Sequence, residues 1–251
     1  YKFNAGSGDI LYDHSGNQNH GTINGATWAG CTDPLADNYL PNAEIDDGSC
    51  ICSICDDYSL SFDGVDDYVS LPEEMLSSSD ARTIMILVNP KSDGMIYSSF
   101  YNSTGEYRIE PHQFALKGND SQWYYAAIPN EQVDYDVPVL ITGVWDKQNI
   151  YFYHNDILLA TTELEGDLIT GTFPGETMLA NSGAHFNGPF EGDFSFCAVW
   201  KRALTHDEVT NIFDDNASNI VDFFDNIVAY WDFNEGSGNI LNDLSGNENH
   251  G

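Results

Sequence analysis

The sequence predicts an all-β protein, a two-sheet antiparallel β-sandwich of jelly-roll type. Three observations predict it. Aromatic residues make up 13% of the 251 positions, with 14 Tyr and 14 Phe, and such residues favour strands. Short runs of alternating apolar and polar residues recur along the chain, bounded by Gly, Asn, Asp and Pro turns. Helical periodicity is confined to one stretch near the end, within 201–213. Many short strands punctuated this closely pack as two sheets over one core.

Taken in order, the elements begin with Ile10-Leu11-Tyr12 as a short strand after the turn Gly6-Ser7-Gly8. The loop from Asp13 to Gly21 follows, rich in residues that accept left-handed backbone and bond their own main chain. It has two readings. In one, Asp13 with Asn17 or Asn19 offers hard oxygen ligands to calcium; in the other, the loop is a rigid Asx-turn with no ion. From Gly30 to Cys55 the alternation stops, and an acidic insert carries Asp33, Asp46 and Asp47 between Cys31 and Cys50. This insert is either a calcium-bearing loop or a disulfide-closed excursion, and its spacing is not that of an EF-hand. A bridge closing a loop of this length contributes roughly 3 kcal/mol in the chain-entropy model. The crowding of Cys31, Cys50, Cys52 and Cys55 points to an oxidising setting with at least one bridge, leaving Cys197, in an apolar strand, as the unpaired thiol. The pair Cys52 and Cys55 lacks a second ligand pair, which argues against zinc.

Strands are then expected at 58–62 and 68–71, as a hairpin around Asp63-Gly64, and over 82–88, 94–101, 107–110, 113–116, 123–128, 137–145, 150–154, 157–162, 176–180 and 193–200. The helix of 201–213 opens with Thr205 and Glu208 as a capping box, its first turn acidic where the dipole favours it. Residues 214–226 are polar and acidic and are expected to be a linker.

The segment Phe3 to Gly21 is written again from Phe233 to Gly251, displaced by 230 positions, and residues 1–21 agree with the second copy at 14 positions. The expected organisation is therefore a jelly roll over 1–213 with the cysteine-bounded acidic insert at 30–57, the linker at 214–226, and at 227–251 the opening strands of a second repeat unit.

Eight Lys plus Arg against forty Asp plus Glu give a formal charge of −32. Such a surface repels nucleic acid and anionic membranes and attracts cations. No apolar run reaches the length that spans a bilayer, so membrane insertion is not expected. No histidine falls in a motif with a Ser or Cys nucleophile. Glycosidases of jelly-roll type need two carboxylates about 5 to 9.5 Å apart, and Glu106 and Glu110 do not form the required pattern. The chain is read as a non-enzyme. For sugar stacking the candidates are Trp123, Tyr125, Tyr151 and Tyr153, although alternating aromatics in strands more often fill a core.

The succession F-N-x-G-S-G and D-x-S-G-N-x-N-H-G, then S-F-D-G-V-D-D-Y-V at 61–69, then V-W-K-R-A-L-T-H-D-E-V at 199–209, resembles the laminin-G-like domains of the concanavalin A-like class. The C-T-D-P…D-D-G-S-C insert resembles modules found between domains of large secreted proteins. The resemblance implies two packed antiparallel sheets, calcium at the sandwich rim, and an extracellular or cell-surface role in adhesion or glycan binding, with a glycan or an extracellular matrix or surface protein as partner. It strengthens the calcium reading of Asp13, Asn17 and Asn19. Where the family carries an acidic residue in an F-x-G-x-I-D strand this chain has Ser195, so Glu191 or Asp193 is the implied substitute. The alternative role is a subunit of an extracellular fibre, in which the C-terminal repeat segment pairs with a neighbouring repeat unit of the same protein.

Overall fold

A computed structural model describes residues 10–25, 27, 29–31, 39, 40, 43, 45, 46, 58–72, 75–100, 107–168, 176–181, 188–215, 217 and 220–251. The chain divides into two compact units, Tyr1–Cys55 and Asp56–Gly251.

In the first unit, β1 (Ile10–Leu11) pairs antiparallel with β2 (Gly21–Thr22), and β3 (Ala29–Gly30) pairs parallel with β4 (Ile45–Asp46). Each pair is a two-stranded sheet of its own. Cys31 is buried and disulfide-bonded. Cys50, Cys52 and Cys55 lie outside the described residues, as do Asp33, Asp47 and the side chain of Asp46.

The second unit is the sandwich. Its strands are β5 (Leu60–Asp63), β6 (Val69–Leu71), β7 (Arg82–Pro90), β8 (Tyr97–Phe100), β9 (Tyr107–Glu110), β10 (Gln113–Lys117), β11 (Trp123–Ala127), β12 (Val139–Trp145), β13 (Asn149–His154), β14 (Ile157–Glu163), β15 (Glu176–Leu179), β16 (Glu191–Trp200) and β17 (Ile227–Trp231). One sheet has the order β11-β10-β9-β8-β15-β6 and the other β14-β13-β12-β7-β16-β17, all pairs antiparallel. Alternation places Ile84, Ile86 and Val88 of β7 against Tyr107, Ile109, Phe114 and Leu116 of the facing sheet in one core. Arg82 is fully buried in that core, its guanidinium 4.5 Å from the Tyr107 ring centroid and bonded through Nη2 to the Ser77 carbonyl at 2.8 Å. Among the described residues Cys197 is a buried free thiol, as its apolar strand predicts.

The helix α1 (His206–Asp214) begins with the expected capping box, Thr205 accepting from Glu208 N and the Glu208 side chain accepting from Thr205 N. It is tied to the sheet by Thr83, whose hydroxyl donates to the Arg202 carbonyl and accepts from Leu204 N, both at 2.9 Å. Among the described residues no helix is long and apolar enough to cross a membrane.

Three expectations are corrected. The strands at 58–62 and 68–71 do not form a hairpin. β5 pairs with β16 and β6 with β15, in different sheets, because the turn is closed by Asp63 and Asp67 side chains rather than by a ladder. The stretch 214–226 is no loose linker: Ile220–Phe223 is a short 3-10 helix with Ile220 buried, and the Phe223 carbonyl accepts from Trp200 Nε1 at 2.7 Å. Finally, 227–251 does not open a further unit; it closes this one. β5 occupies the edge of β16 only over 191–194, and β17 takes the rest of that edge, 197–200. Trp231, Phe233 and Leu241 then enter the core. The first copy, expected to supply the opening strands of the sandwich, instead forms the β1–β2 pair in the other unit.

Candidate functional site

The six-stranded sheet carries one face into the core and the other outward. On β9, Tyr107 and Ile109 point inward, so Arg108 and Glu110 point outward. Register then fixes their neighbours: Arg108 lies beside Ala115, which lies beside Tyr125, while Glu110 faces Gln113 and Trp123 faces Lys117. The outward face thus gathers Arg108, Glu110, Gln113, Trp123 and Tyr125.

These groups interlock. The Arg108 guanidinium sits 4.9 Å from the Trp123 ring centroid and 5.7 Å from that of Tyr125, the two rings being tilted 32° to each other. Arg108 Nε lies 3.1 Å from Glu110 Oε1, and Gln113 Nε2 donates to Glu110 Oε2 at 2.8 Å. Glu110 is fully buried, whereas Tyr125 is 42% exposed. A rigid cationic and aromatic layer therefore ends in an open tyrosine. At its margin, His112 Nδ1 lies 3.1 Å from Asp93 Oδ1 and His112 Nε2 is 3.7 Å from Glu110 Oε2. The Asp93 hydrogen bond raises the His112 pKa above its ordinary value, against the opposing effect of burial.

The expected aromatic set divides. Trp123 and Tyr125 belong to this face, but Tyr151 and Tyr153 lie on the outer face of the other sheet, with Ile150 and Phe152 inward. Tyr153 is buried, stacked on His206 of α1 at 5.8 Å, and the Tyr151 hydroxyl donates to Asp146 Oδ2. Both side chains are engaged by neighbours on that sheet's outer face. Arg108, Gln113, Asp93 and His112 escaped the sequence reading. Alternation within Tyr107-Arg108-Ile109-Glu110 was the available signal, but only the register of three strands shows what Arg108 meets.

The expected metal ligands are also redistributed. Asp13 Oδ1 accepts from Ser15 N at 2.7 Å, and Oδ2 accepts from Ser15 Oγ at 2.8 Å and from Asn19 N at 3.0 Å. Those bonds, led by the Ser15 hydroxyl, hold the Asp13 pKa down at about 2. Asn17 donates from Nδ2 to Ser15 Oγ at 3.0 Å. The loop satisfies part of its own backbone through these side chains, the arrangement of an Asx-turn. Asp193 is paired with Lys91 at 3.1 Å. Glu191 sits opposite Asp63 in register, beside the exposed trio Asp63, Asp66 and Asp67, whose carboxylate oxygens lie within 4.8 Å of one another. That trio is an all-oxygen donor set of the kind calcium takes, and Asp93, Glu110 and His112 form a second compact group.

A groove of about 610 Å³ lies elsewhere on the sandwich, between Tyr58, Tyr68 and Val69 on one side and Phe233, Glu235 and Ile240 on the other. Gly236 permits it: at φ +65° a Cβ there would come within 2.8 Å of the Tyr58 ring.

A family model described as the concanavalin A-like lectin/glucanases superfamily matches residues 63–210. No curated protein matches the sequence. Among solved structures, a candidate carbohydrate binding protein from Bacteroides ovatus is similar at 16% identity and a TM-score of 0.58, covering 80% of this chain and 59% of that one. A heptameric SAP-like pentraxin from Limulus polyphemus is similar at 19% identity and 0.49, covering 63% of this chain and 82% of the other. Domain 4 of an extracellular arabinanase from Geobacillus stearothermophilus follows at 17% identity and 0.48, covering 62% and 76%. At these identities the likeness is one of fold.

Proposed function

Because the chain belongs to the concanavalin A-like lectin/glucanase superfamily, we propose that its sandwich is a non-catalytic, glycan-binding module of an extracellular surface protein acting in adhesion. The observation that carries this reading is the Arg108 guanidinium layered against Trp123 and Tyr125, with Tyr125 left open. A pyranose presents an apolar C–H face and a rim of hydroxyls. An exposed aromatic ring stacks on the face, while a fixed guanidinium and the Gln113 amide supply directional donors at the rim. Glu110 fixes Arg108 in place and is itself buried and bonded, which suits a positioning role and not that of a general acid in a cleft. The Bacteroides ovatus structure of the same fold is described with the same ligand class.

In the same reading calcium is held by Asp63, Asp66 and Asp67, beside Glu191, where a chain of formal charge −32 gains most from a cation. When bound, the ion supplies charge neutralisation and stiffens the turn between β5 and β6.

Glycan-array screening followed by calorimetry tests the first part. Trp123→Ala and Tyr125→Ala are expected to weaken the best ligand at least tenfold, each losing a stacking face. Full affinity in both variants would mean that the ligand lies elsewhere. For the metal, the melting temperature is expected to rise with calcium over a chelated control, and this rise to vanish when Asp66 and Asp67 are both changed to Asn; a rise that survives the double change rejects the assignment.

A further inference from the structure

Two carboxylates converge on one imidazole at the end of the β9–β10 hairpin. His112, in the turn, sets Nδ1 3.1 Å from Asp93 Oδ1 and Nε2 3.7 Å from Glu110 Oε2. A neutral imidazole carries a single N–H, so one of its two nitrogens turns a bare lone pair toward a carboxylate. That contact is repulsive until a cation stands in it. A proton is one such cation and a metal ion is the other. The 3.7 Å separation is too long for a hydrogen bond. It lies close to the spacing of two ligands on one zinc ion, about 3.3–3.6 Å for bonds of roughly 2.0–2.2 Å.

Separate elements bring the donors together. Asp93 lies in the loop after β7, where Gly94 lets the backbone press against 189–190: a Cβ there would come within 2.8 Å of the Pro189 carbonyl oxygen and of Phe190 Cα. Asn130 turns the carboxylate, its Nδ2 reaching Asp93 Oδ2 at 3.4 Å while its Oδ1 accepts from the Tyr135 hydroxyl at 2.6 Å. The turn that carries His112 is fixed from behind. Its carbonyl accepts from Ile128 N at 2.9 Å, and the Pro111 carbonyl lies 2.8 Å from His154 Nε2. Glu110 is fully buried and divides its oxygens, Oε1 toward Arg108 and Oε2 toward Gln113 and His112. One donor atom from each of Asp93, Glu110 and His112 lies within 4.8 Å of the others. Shifts of about an ångström bring such a set onto one ion.

The donor chemistry selects the ion. Asp63, Asp66 and Asp67 offer oxygen alone, which suits calcium, whereas an imidazole with two carboxylates suits a borderline metal. We propose that Asp93, Glu110 and His112 bind a divalent cation of the zinc class. A formal charge of −32 draws any dication toward the chain, and the ring nitrogen decides which one is kept here. The His112 side chain is 17% exposed and that of Asp93 35%, so the ion reaches them from solvent. Its binding does not depend on whether the adjacent face takes a glycan, since Glu110 meets Arg108 through its other oxygen.

The test uses the full chain, stripped of metal and then saturated with calcium so that oxygen-only sites are filled. Zinc chloride is the probe. In a chain labelled with nitrogen-15 in its histidine rings, one His112 nitrogen is expected to move to a metal-bound shift with stoichiometric zinc, the signal being assigned by its loss in His112→Gln. Calorimetry is expected to find zinc bound about tenfold or more weakly in His112→Gln and in Asp93→Asn. His112 signals that ignore zinc would show the imidazole held by a proton alone and overturn the proposal. A shift already complete on adding calcium overturns the choice of metal. Zinc affinity unchanged in both variants puts the ion elsewhere and overturns the site. If either variant fails to melt cooperatively, the wild-type ring titration decides, because it needs no substitution at the site beyond signal assignment.

Discussion

The two copies of the nineteen-residue motif are alike in sequence and in internal hydrogen-bond pattern, but the C-terminal copy bonds to β17 of the sandwich whereas the N-terminal copy belongs to the other unit. In the C-terminal copy Asp243 accepts from Tyr230 N as well as from its own loop, Leu241 is buried in the core, and Trp231 Nε1 donates to the Asn249 carbonyl. In the N-terminal copy the corresponding Asp13 is half-buried and, among the described residues, accepts from Ser15 and Asn19 of its own loop. Local sequence sets the shape of such a loop, since the Asp-Ser-Asn bonds close over six residues. What the loop contributes to stability is set by whether it caps a sheet edge.

That contrast predicts a steep asymmetry under mutation. The largest effect belongs to Trp231→Ala: the indole is fully buried and caps the join of β17 to the loop, so its loss is expected to cost roughly 3–5 kcal/mol of sandwich stability in urea melts. Next comes Asp243→Ala, which leaves Tyr230 N and Asn249 N without an acceptor in a site only 7% exposed and is expected to cost about 2 kcal/mol. Asp13→Ala, the same change in the same local motif, is expected to leave the sandwich midpoint unmoved. Equal losses for the two aspartates would show that the N-terminal copy is also coupled to the sandwich and would erase the distinction.

Much of the fold was legible because it rests on local alternation. Tyr107-Arg108-Ile109-Glu110 and Ile150 to His154 announce their inward and outward faces, and Thr205 with Glu208 announces the start of α1. Sheet membership was not legible. Strands β5 and β6 are close in sequence and look like a hairpin, yet the carboxylate-closed turn sends them to opposite sheets. The repeat misled for a related reason: near-identical segments carry no mark of which unit each will join, and the bond of Tyr230 to Asp243 arises from tertiary packing. In the candidate site, the spacing of Trp123 and Tyr125 was visible, but Arg108 joins them only through the β9–β10–β11 register, and Tyr153 belongs to the other sheet, where it stacks on His206.

The smallest expected effect is a matter of pH. Burial raises the Asp243 pKa, but the bonds from Tyr230 N, Ser245 and Asn249 N outweigh it, and the net value is lowered; Asp13 is lowered to about 2. A carboxyl whose folded pKa lies below its unfolded value near 3.9 contributes stability above that value, and the contribution is lost as pH falls through the folded pKa. For Asp243 this loss is shared by the sandwich, because the proton competes with Tyr230 N and so loosens the cap on β17. For Asp13 it is confined to the loop. Carboxyl carbon titration by NMR is expected to find Asp13 half-protonated near pH 2. Thermal melts between pH 7 and pH 3 are expected to show a shallower acid slope in Asp243→Asn than in the wild type, and an unchanged slope in Asp13→Asn. A flattening of equal size in both variants would mean that acid reaches the sandwich through either copy, and the two loops would then be energetically alike.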